Sequence, residues 1–225
     1  MTLNVQYRMH PDIQRFPSEQ YYASKLRCGL KDVPPFVRGF RWPQIPRSKE
    51  VARVVFIHCR GYEEGERSPA NSSQANLAAH IIGGLRLGEK TALVLTPYSS
   101  QVQTLKNTIG EVEGVTISTV DGAQGAEADL VLVSMVRANA TQKLGFTDDA
   151  RRVNVAITRA KAGVILIGHV PTASAMASSG FPDLLTELSK KGCILEGHAG
   201  EVRAMEPSRF RLLCEYVPEQ VQHTP

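Results

Sequence analysis

Two near-continuous aliphatic runs, Leu130 to Val136 and Val164 to Gly168, constrain the fold of this chain most strongly. An extended chain that is apolar on both sides is typical of a strand buried on both faces, as in a parallel sheet covered by helices. The same reasoning predicts further strands at Val51 to His58, Thr91 to Leu95, Val115 to Thr119 and Gly192 to Glu196.

Helical patterns alternate with these strands. Asn71 is a suitable N-cap, and Gln74 three residues later is its expected capping-box partner. The apolar face of that helix carries Leu77, Ile81, Ile82 and Leu85. Two further helices are predicted at Ser99 to Ile109 and Phe181 to Lys190. This alternation indicates an α/β fold with right-handed crossovers, a mostly parallel sheet, and functional groups at the carboxyl ends of the strands.

A short helix is predicted between the two aliphatic runs. Asp148 and Asp149 suit its start, and its apolar face is formed by Val153, Ala156, Ile157 and Ala160. Arg152 and Arg159 are seven residues apart and would therefore lie on nearly the same side. Two guanidinium groups in this arrangement can bind phosphate oxygens, although a solvated face or an ion pair is the alternative.

The stretch DGAQG, Asp121 to Gly125, predicts a tight turn whose backbone can approach a ligand. Glu127 and Asp129 follow it and place a carboxylate at the start of the next strand. Glycine turns before strands are common, so simple loop formation is the alternative interpretation.

The glycine-rich stretch GGLRLGEKT, Gly83 to Thr91, resembles a phosphate-binding loop but does not satisfy its requirements. Glu89 separates Gly88 from Lys90, and the first glycines end a helix instead of following a strand. No other such loop is found, and no acidic pair is placed to hold magnesium. The chain therefore offers arginines for phosphoryl transfer without a phosphate cradle.

Composition is that of a globular domain. The chain has 225 residues, 42% hydrophobic and 21% charged, enough for one core. No apolar run approaches the roughly 20 residues of a membrane helix, and Asn4, Gln6 and Arg8 argue against a secretory leader. We expect an intracellular protein, cytoplasmic or nuclear, that has no contact with membrane. No metal site is expected from the scattered cysteines Cys28, Cys59, Cys193 and Cys214.

The net charge of +4 is mild, but basic residues gather in two regions. Arg137 to Gly163 contains six, which suits a polyanionic partner. The first 67 residues mix basic residues with aromatic ones that can stack on bases or simply pack, Phe16, Tyr21, Tyr22, Phe36, Phe40 and Trp42. Residues 1–50 are predicted to form an irregular opening segment, residues 51–200 the α/β domain, and residues 201–225 a tail of uncertain order.

Four sequence blocks occur in an order that resembles the second motor domain of superfamily 1 helicases of the up-frameshift type. These helicases include the regulators of nonsense transcripts and senataxin. The blocks are QYRMHPDIQRFPSEQYY, TPYSSQV, STVDGAQGAEADLVLVSMVRAN and LGFTDDARRVNVAITRAKAGVILIGH. The resemblance extends from residue 6 to residue 169 and implies a RecA-like three-layer sandwich with helices on both faces of the sheet.

The resemblance also implies roles for individual residues. Arg8 matches the arginine that reaches the γ-phosphate, and Arg159 matches the arginine finger of the last motif. Glu127 matches a glutamate near the ribose, with Gln124 and Gly125 shaping its turn. Motifs that touch the nucleic-acid backbone contain Thr96, Ser99, Ser100 and Thr119. The family pattern differs at two positions, with a bulky aromatic at Ala123 and a glutamate at Gln74.

The sequence therefore predicts the second motor domain of an ATP-dependent helicase. ATP and Mg²⁺ would be held mainly by an N-terminal RecA-like domain of the same protein, with single-stranded RNA or DNA as the partner. The resemblance implies 5′ to 3′ movement, and we expect a monomer that is inactive without the other domain. The alternatives are a catalytically idle domain that binds nucleic acid or protein, and a stand-alone nucleotide enzyme such as a kinase.

Overall fold

The computed structural model describes residues 4–46, 48–139, 149–175, 180–198 and 200–215. Its main element is a seven-stranded sheet of order β5-β4-β6-β7-β3-β8-β9. The first five of these strands in chain order are β3 Val54–Cys59, β4 Ala92–Thr96, β5 Val115–Thr119, β6 Ala128–Ser134 and β7 Ala160–Gly168. The last two are β8 Ile194–His198 and β9 Glu201–Ala204, and a separate two-stranded sheet pairs β1 Val5–Gln6 with β2 Arg27–Cys28.

Seven helices lie in the described ranges. They are α1 Pro11–Tyr21, α2 Ser72–Gly84, α3 Ser99–Ile109, α4 Ala150–Ile157, α5 Val170–Ser174, α6 Phe181–Lys190 and α7 Pro207–Cys214. The predicted bounds of α3, β5 and α6 are confirmed to the residue. Helices cover both faces of the sheet, and α2 packs beside α3. The predicted α/β fold, a RecA-like sandwich with a mostly parallel sheet, is confirmed.

Every adjacent pair in the large sheet is parallel except β8 with β9. The aliphatic runs occupy its centre, where Leu130, Leu132, Ile165 and Ile167 are wholly inaccessible to solvent. Burying each such side chain contributes about 1.5–3 kcal/mol. Because the six parallel strands point one way, the sheet has one amino edge and one carboxyl edge, and these two edges carry different candidate residues.

The opening segment is not irregular throughout, contrary to prediction. Pro11 opens α1 as its first residue, and the His10 side chain accepts a hydrogen bond from the Asp12 backbone N–H. Ile13 and Phe16 bury the inner face of the helix. The prolines that dominate the later part of the segment hide the helical spacing of these apolar positions.

Aromatic residues of the same segment pack against one another. The ring of Trp42 lies 5.4 Å from that of Phe36 and 5.0 Å from that of Phe40, measured between centroids. The Arg53 guanidinium lies 3.5 Å from the centroid of Phe36. These contacts favour the packing interpretation for the three rings over base stacking.

The region after residue 200 is more ordered than predicted. Strand β9 pairs antiparallel with β8, and α7 buries Phe210. Four register pairs join the two strands, from Leu195 with Ala204 to His198 with Glu201, and the charged sequence did not indicate this hairpin. Residues 216–225 lie outside the described ranges, as do residues 140–148, which include Asp148 and the start of the fourth sequence block.

Helix α4 is shorter than the predicted arginine helix. Its N-cap is Asp149, whose side chain accepts from the Arg151 backbone N–H, and its last residue is Ile157. Ala160 is not on its apolar face but begins β7. Arg159 lies in the turn between them, so the prediction that Arg152 and Arg159 share one helix face is wrong.

Gln74 does not act as a capping-box partner. Asn71 caps α2 as predicted, with its side-chain oxygen accepting from the Gln74 N–H at 3.0 Å. The Gln74 side chain turns inward instead: its Oε1 accepts from Val136 N at 2.9 Å, and its Nε2 donates to Val136 O at 3.2 Å. Val136 has a φ of 67°, a strained value for a β-branched residue. Gln74 therefore holds a strained turn after β6.

Candidate functional site at the amino edge of the sheet

Glu127 and Arg159 stand at the same edge of the sheet. Ala128 of β6 pairs with Ala160 of β7, so each of the two charged residues precedes the first paired residue of its strand. The Arg159 carbonyl oxygen accepts from Ala128 N at 3.1 Å, which fixes the two strand starts together. Glu127 therefore lies at the start of its strand, as predicted, and both residues are at the amino edge of the sheet.

Arg8 reaches this edge through the turn after β1. Gln6 organises that turn: its Oε1 accepts from the backbone N–H groups of Arg8 and Met9, each at 2.7 Å. The His10 N–H donates to the carbonyl of Lys161 at 2.9 Å, which ties the segment to β7. Two residues that sequence reasoning did not select, Gln6 and Lys161, thus place Arg8.

Glu127 joins two cations. Its Oε2 accepts from Arg8 Nε at 2.8 Å, and its Oε1 accepts from Lys161 Nζ at 2.7 Å. The hydrogen bond from Lys161 and then that from Arg8 lower the pKa of the Glu127 carboxyl below its usual value. We call Arg8, Glu127, Arg159 and Lys161 the Glu127 cluster. With three cations and one carboxylate, it carries a net positive charge.

Arg159 is held by three acceptors, two from nearby residues of the chain and one from Ala126, 33 positions away. Its Nε donates to Val155 O at 3.1 Å, its Nη2 to Thr158 Oγ1 at 3.2 Å, and its Nη1 to Ala126 O at 3.5 Å. Burial, and then the charge of Arg8, lowers the pKa of its guanidinium. A guanidinium has five N–H donors, so this arrangement fixes the side chain while leaving it donors for an anion.

The DGAQG turn forms as predicted between β5 and β6. Gly125 has a φ of 89°, and both Gln124 and Gly125 are exposed. Ala123 is 3% exposed and belongs to the core, so a small side chain packs at the position where the family pattern is aromatic. Arg152 forms ion pairs with Asp121 of this turn and with Asp149.

The remaining candidate residues lie at the carboxyl edge. Thr96 and Thr119 are register partners at the ends of β4 and β5. Thr96 is wholly buried, with its hydroxyl unpaired in the described structure, and the hydroxyl of Thr119 accepts from Gly122 N at 3.0 Å. Ser99 is exposed, and the Ser100 N–H donates to Ser68 Oγ at 3.1 Å. The buried Thr96 is therefore placed differently from the other three.

No group of three or more His, Cys, Asp or Glu side chains that could hold a metal ion occurs in the part of the chain that the structure describes. Within the same ranges, no helix is long and apolar enough to cross a membrane.

The sequence matches the model of a protein family described as AAA domain over residues 1–171. That match covers most of the 225 residues, and the chain belongs to this family. Together with the relatives described next, it defines the chain as a superfamily 1 helicase domain of the up-frameshift type.

Two of these relatives are regulators of nonsense transcripts. The chain is 34% identical to the regulator of nonsense transcripts 1 homolog of Neurospora crassa over 219 residues, 87% of this chain and 19% of that protein. It is 31% identical to regulator of nonsense transcripts 1 of Caenorhabditis elegans, over 93% of this chain and 20% of that protein. The chain thus spans about a fifth of the length of these relatives.

Two further matches are one more relative and one solved structure. An uncharacterized ATP-dependent helicase of Methanocaldococcus jannaschii is 35% identical over 74% of this chain and 26% of that protein. Among solved structures, the C-terminal domain of a possible DNA helicase from Lactobacillus plantarum aligns with a TM-score of 0.40 and 15% identity. That alignment covers 73% of this chain and 88% of the solved one.

Proposed function

We propose that this chain is the second motor domain of an ATP-dependent helicase. In this proposal, Arg8 and Arg159 act on ATP that is held by a first RecA-like domain of the same protein. The partner is single-stranded RNA or DNA, and the family resemblance favours 5′ to 3′ movement. The observation that carries the proposal is the convergence of two arginines, distant in the sequence, around Thr158.

The geometry of that convergence supports a phosphate-facing role. Arg8 Nη1 donates to Thr158 O at 3.1 Å, and Arg159 Nη2 donates to Thr158 Oγ1 at 3.2 Å. The two guanidinium groups and the Lys161 ammonium lie at one sheet edge, where their summed charge favours a polyanion. Glu127 keeps Arg8 and Lys161 together while leaving N–H donors for incoming oxygens.

The chemistry asked of these residues is electrostatic. In hydrolysis, water attacks the γ-phosphorus, the bond to the bridging oxygen breaks, and ADP leaves with that electron pair. Arg8 and Arg159 would donate hydrogen bonds to the γ-phosphate oxygens as charge shifts toward the leaving group. Mg²⁺ neutralises phosphate charge when bound, and we assign it to the first domain because the described residues form no metal site.

The remaining candidate residues have different roles in this proposal. Gln124 and Gly125 shape the approach to Glu127. Arg152 is assigned to holding the DGAQG turn, because its carboxylate partners are Asp121 and Asp149. At the carboxyl edge, the exposed Ser99 and neighbouring polar groups would contact the nucleic-acid backbone. Since the nucleotide and nucleic-acid residues lie at opposite edges of one rigid sheet, closing the nucleotide cleft would move both together.

The decisive test is Arg159→Ala in the full protein, with ATP affinity and ATP turnover measured separately. Loss of an arginine finger lowers turnover on the order of 10³-fold or more, while ATP affinity should change far less. Arg151→Ala is the matched control, since Arg151 is exposed on α4 and its described hydrogen bond uses its backbone. Unchanged turnover in Arg159→Ala would contradict the proposal and favour a domain that only binds.

A further inference from the structure

A second carboxylate organises basic side chains at the opposite edge of the sheet. Glu196, on β8, is 8% exposed, and three arginines from three different elements converge on it. Arg60 follows β3, Arg203 lies on β9 directly across from Glu196, and Arg209 lies on α7. We call these four residues the Glu196 cluster.

The contacts leave the arginines facing outward. Arg60 Nη2 lies 3.3 Å from Glu196 Oε1, and Arg203 Nη2 lies 3.6 Å from Oε2. Arg209 Nε donates to Oε1 as well. The carboxylate is deep, whereas the Arg60 and Arg203 side chains are 59% and 75% exposed. In the described structure each guanidinium contacts Glu196 through one nitrogen, so most of its five N–H donors remain for another anion.

A cavity of about 160 Å³ opens beside the cluster, lined in part by Arg60, Arg203 and His198. The arginines and glutamates that line it are Arg60, Arg203, Glu196 and Glu201, and Arg209 pairs with Glu196 from α7. Burial, and then His169 and Arg60, lowers the pKa of His58 to about 3, so that ring adds no charge. Counting Arg209, three arginines face two carboxylates, and both Glu196 oxygens are already occupied by arginines.

This cavity lies at the same edge of the sheet as Ser100, which follows β4, and Thr119, which ends β5. The reason is that β3, β4, β5 and β8 are parallel. Four strand spacings separate β4 from β8, or about 19 Å at ~4.8 Å for each spacing. An extended polyanion could therefore touch both places.

We propose that Arg60, Arg203 and Arg209 form a second anion site, which binds phosphate groups of the single strand at the β8 end of the carboxyl edge. The inference rests on the proposed function for its source of phosphate. It adds a contact region that the four sequence blocks do not include, since Arg203 and Arg209 lie beyond residue 169. The Glu196 cluster resembles the Glu127 cluster in its arrangement, because in both one carboxylate holds several cations in place without using all of their N–H donors.

The test measures binding of a fluorescent single-stranded oligothymidylate to the full protein between about 50 and 200 mM salt. Each phosphate contact contributes about 0.7 to the slope of log affinity against log salt for single strands. The double variant Arg60→Gln/Arg203→Gln keeps Arg209 on Glu196. It should reduce the magnitude of this slope by about 1.4, so that binding depends less on salt. Arg27→Gln/Arg86→Gln removes the same charge from exposed arginines elsewhere and should leave the slope nearly unchanged.

An unchanged slope in the cluster variant, with strand binding intact, overturns the inference and leaves the proposed motor function standing. If the wild-type protein binds no strand, thermal shift with inorganic phosphate decides. If phosphate stabilises the wild-type protein but not the cluster variant, the site binds free phosphate instead of a strand. If phosphate stabilises neither protein, the anion site itself is overturned. If the double variant does not fold, the exposed Arg60→Gln alone should lower the slope by about 0.7. Arg159→Ala turnover tests the motor function independently of these outcomes.

Discussion

Arg8 and Arg159 meet on a single residue, Thr158. Arg8 donates to its carbonyl oxygen at 3.1 Å, and Arg159 donates to its hydroxyl at 3.2 Å. Arg8 and Thr158 are 150 positions apart in the chain, so the first and fourth sequence blocks form one site only after folding. The proposed nucleotide chemistry depends on this contact.

Glu127 is expected to titrate below the ordinary range of a glutamate. Hydrogen bonds from Lys161 and Arg8 stabilise its ionised form and lower its pKa. Because the folded-state pKa lies below the unfolded value, these ion pairs stabilise the fold above the usual carboxyl range. Their contribution is lost as pH falls through the lowered pKa. NMR titration of the Glu127 carboxyl should give a higher pKa in Lys161→Ala and the same pKa in the control Lys106→Ala. An equal pKa in wild type and Lys161→Ala would show that the ion pair does not form in solution.

Gln6 is expected to control Arg8 through the backbone. Its side-chain oxygen accepts from Arg8 N and Met9 N, so Gln6→Ala should release the turn and displace the Arg8 guanidinium. Misplacing a catalytic group by about 1 Å can cost on the order of 100-fold in rate. ATP turnover of the full protein is the measurement. Gln20→Ala, on the exposed side of α1, is the control and should keep wild-type turnover. Equal turnover in both variants would show that Arg8 is positioned by other contacts.

Gln74→Glu should destabilise the domain, because a carboxylate cannot donate to Val136 O. The residue is fully buried, and Val136 O keeps only the hydrogen bond from Asn71 Nδ2 at 3.1 Å. Losing the Gln74 hydrogen bond costs about 0.5–1.5 kcal/mol, and burying a carboxylate beside that carbonyl adds to this cost. Urea unfolding at pH 7.5 measures the change in the free energy of unfolding. Protonation of the introduced carboxyl restores a donor, so the deficit should shrink as pH falls. Gln103→Glu, on the exposed face of α3, should stay within about 0.5 kcal/mol of wild type. A loss of stability that does not change with pH would show that the missing donor is not its cause.

Two glycine-to-alanine substitutions should act in opposite directions. A Cβ at Gly163 in β7 would come within 2.6 Å of the Trp42 ring, and such overpacking costs about 1–3 kcal/mol. A Cβ at Gly83 in α2 meets nothing within 4 Å, and alanine there should stabilise the helix by about 0.5–1 kcal/mol. Thermal unfolding compares both with wild type. A stable Gly163→Ala protein would show that Trp42 does not pack on the sheet as described.

Local sequence patterns determined the elements themselves. The aliphatic runs predicted strands buried on both faces, and α3, β5 and α6 begin and end where periodicity places them. The four sequence blocks identified the family and selected Arg8, Glu127 and Arg159. These inferences succeed because strand burial, helix periodicity and turn glycines each depend on residues close together in the chain.

Tertiary structure alone decided how these elements meet. The crossovers gather the Glu127 cluster at the amino edge of the sheet, whereas the sequence indicated only that Glu127 precedes its strand. Lys161 joins Glu127, and Gln74 supports Val136 instead of capping its own helix, through contacts with residues distant in sequence. Such partners leave no periodic signal, because which side chains meet is set by strand order and register. The sequence therefore determined which residues could act, and the packed sheet determined which of them act together.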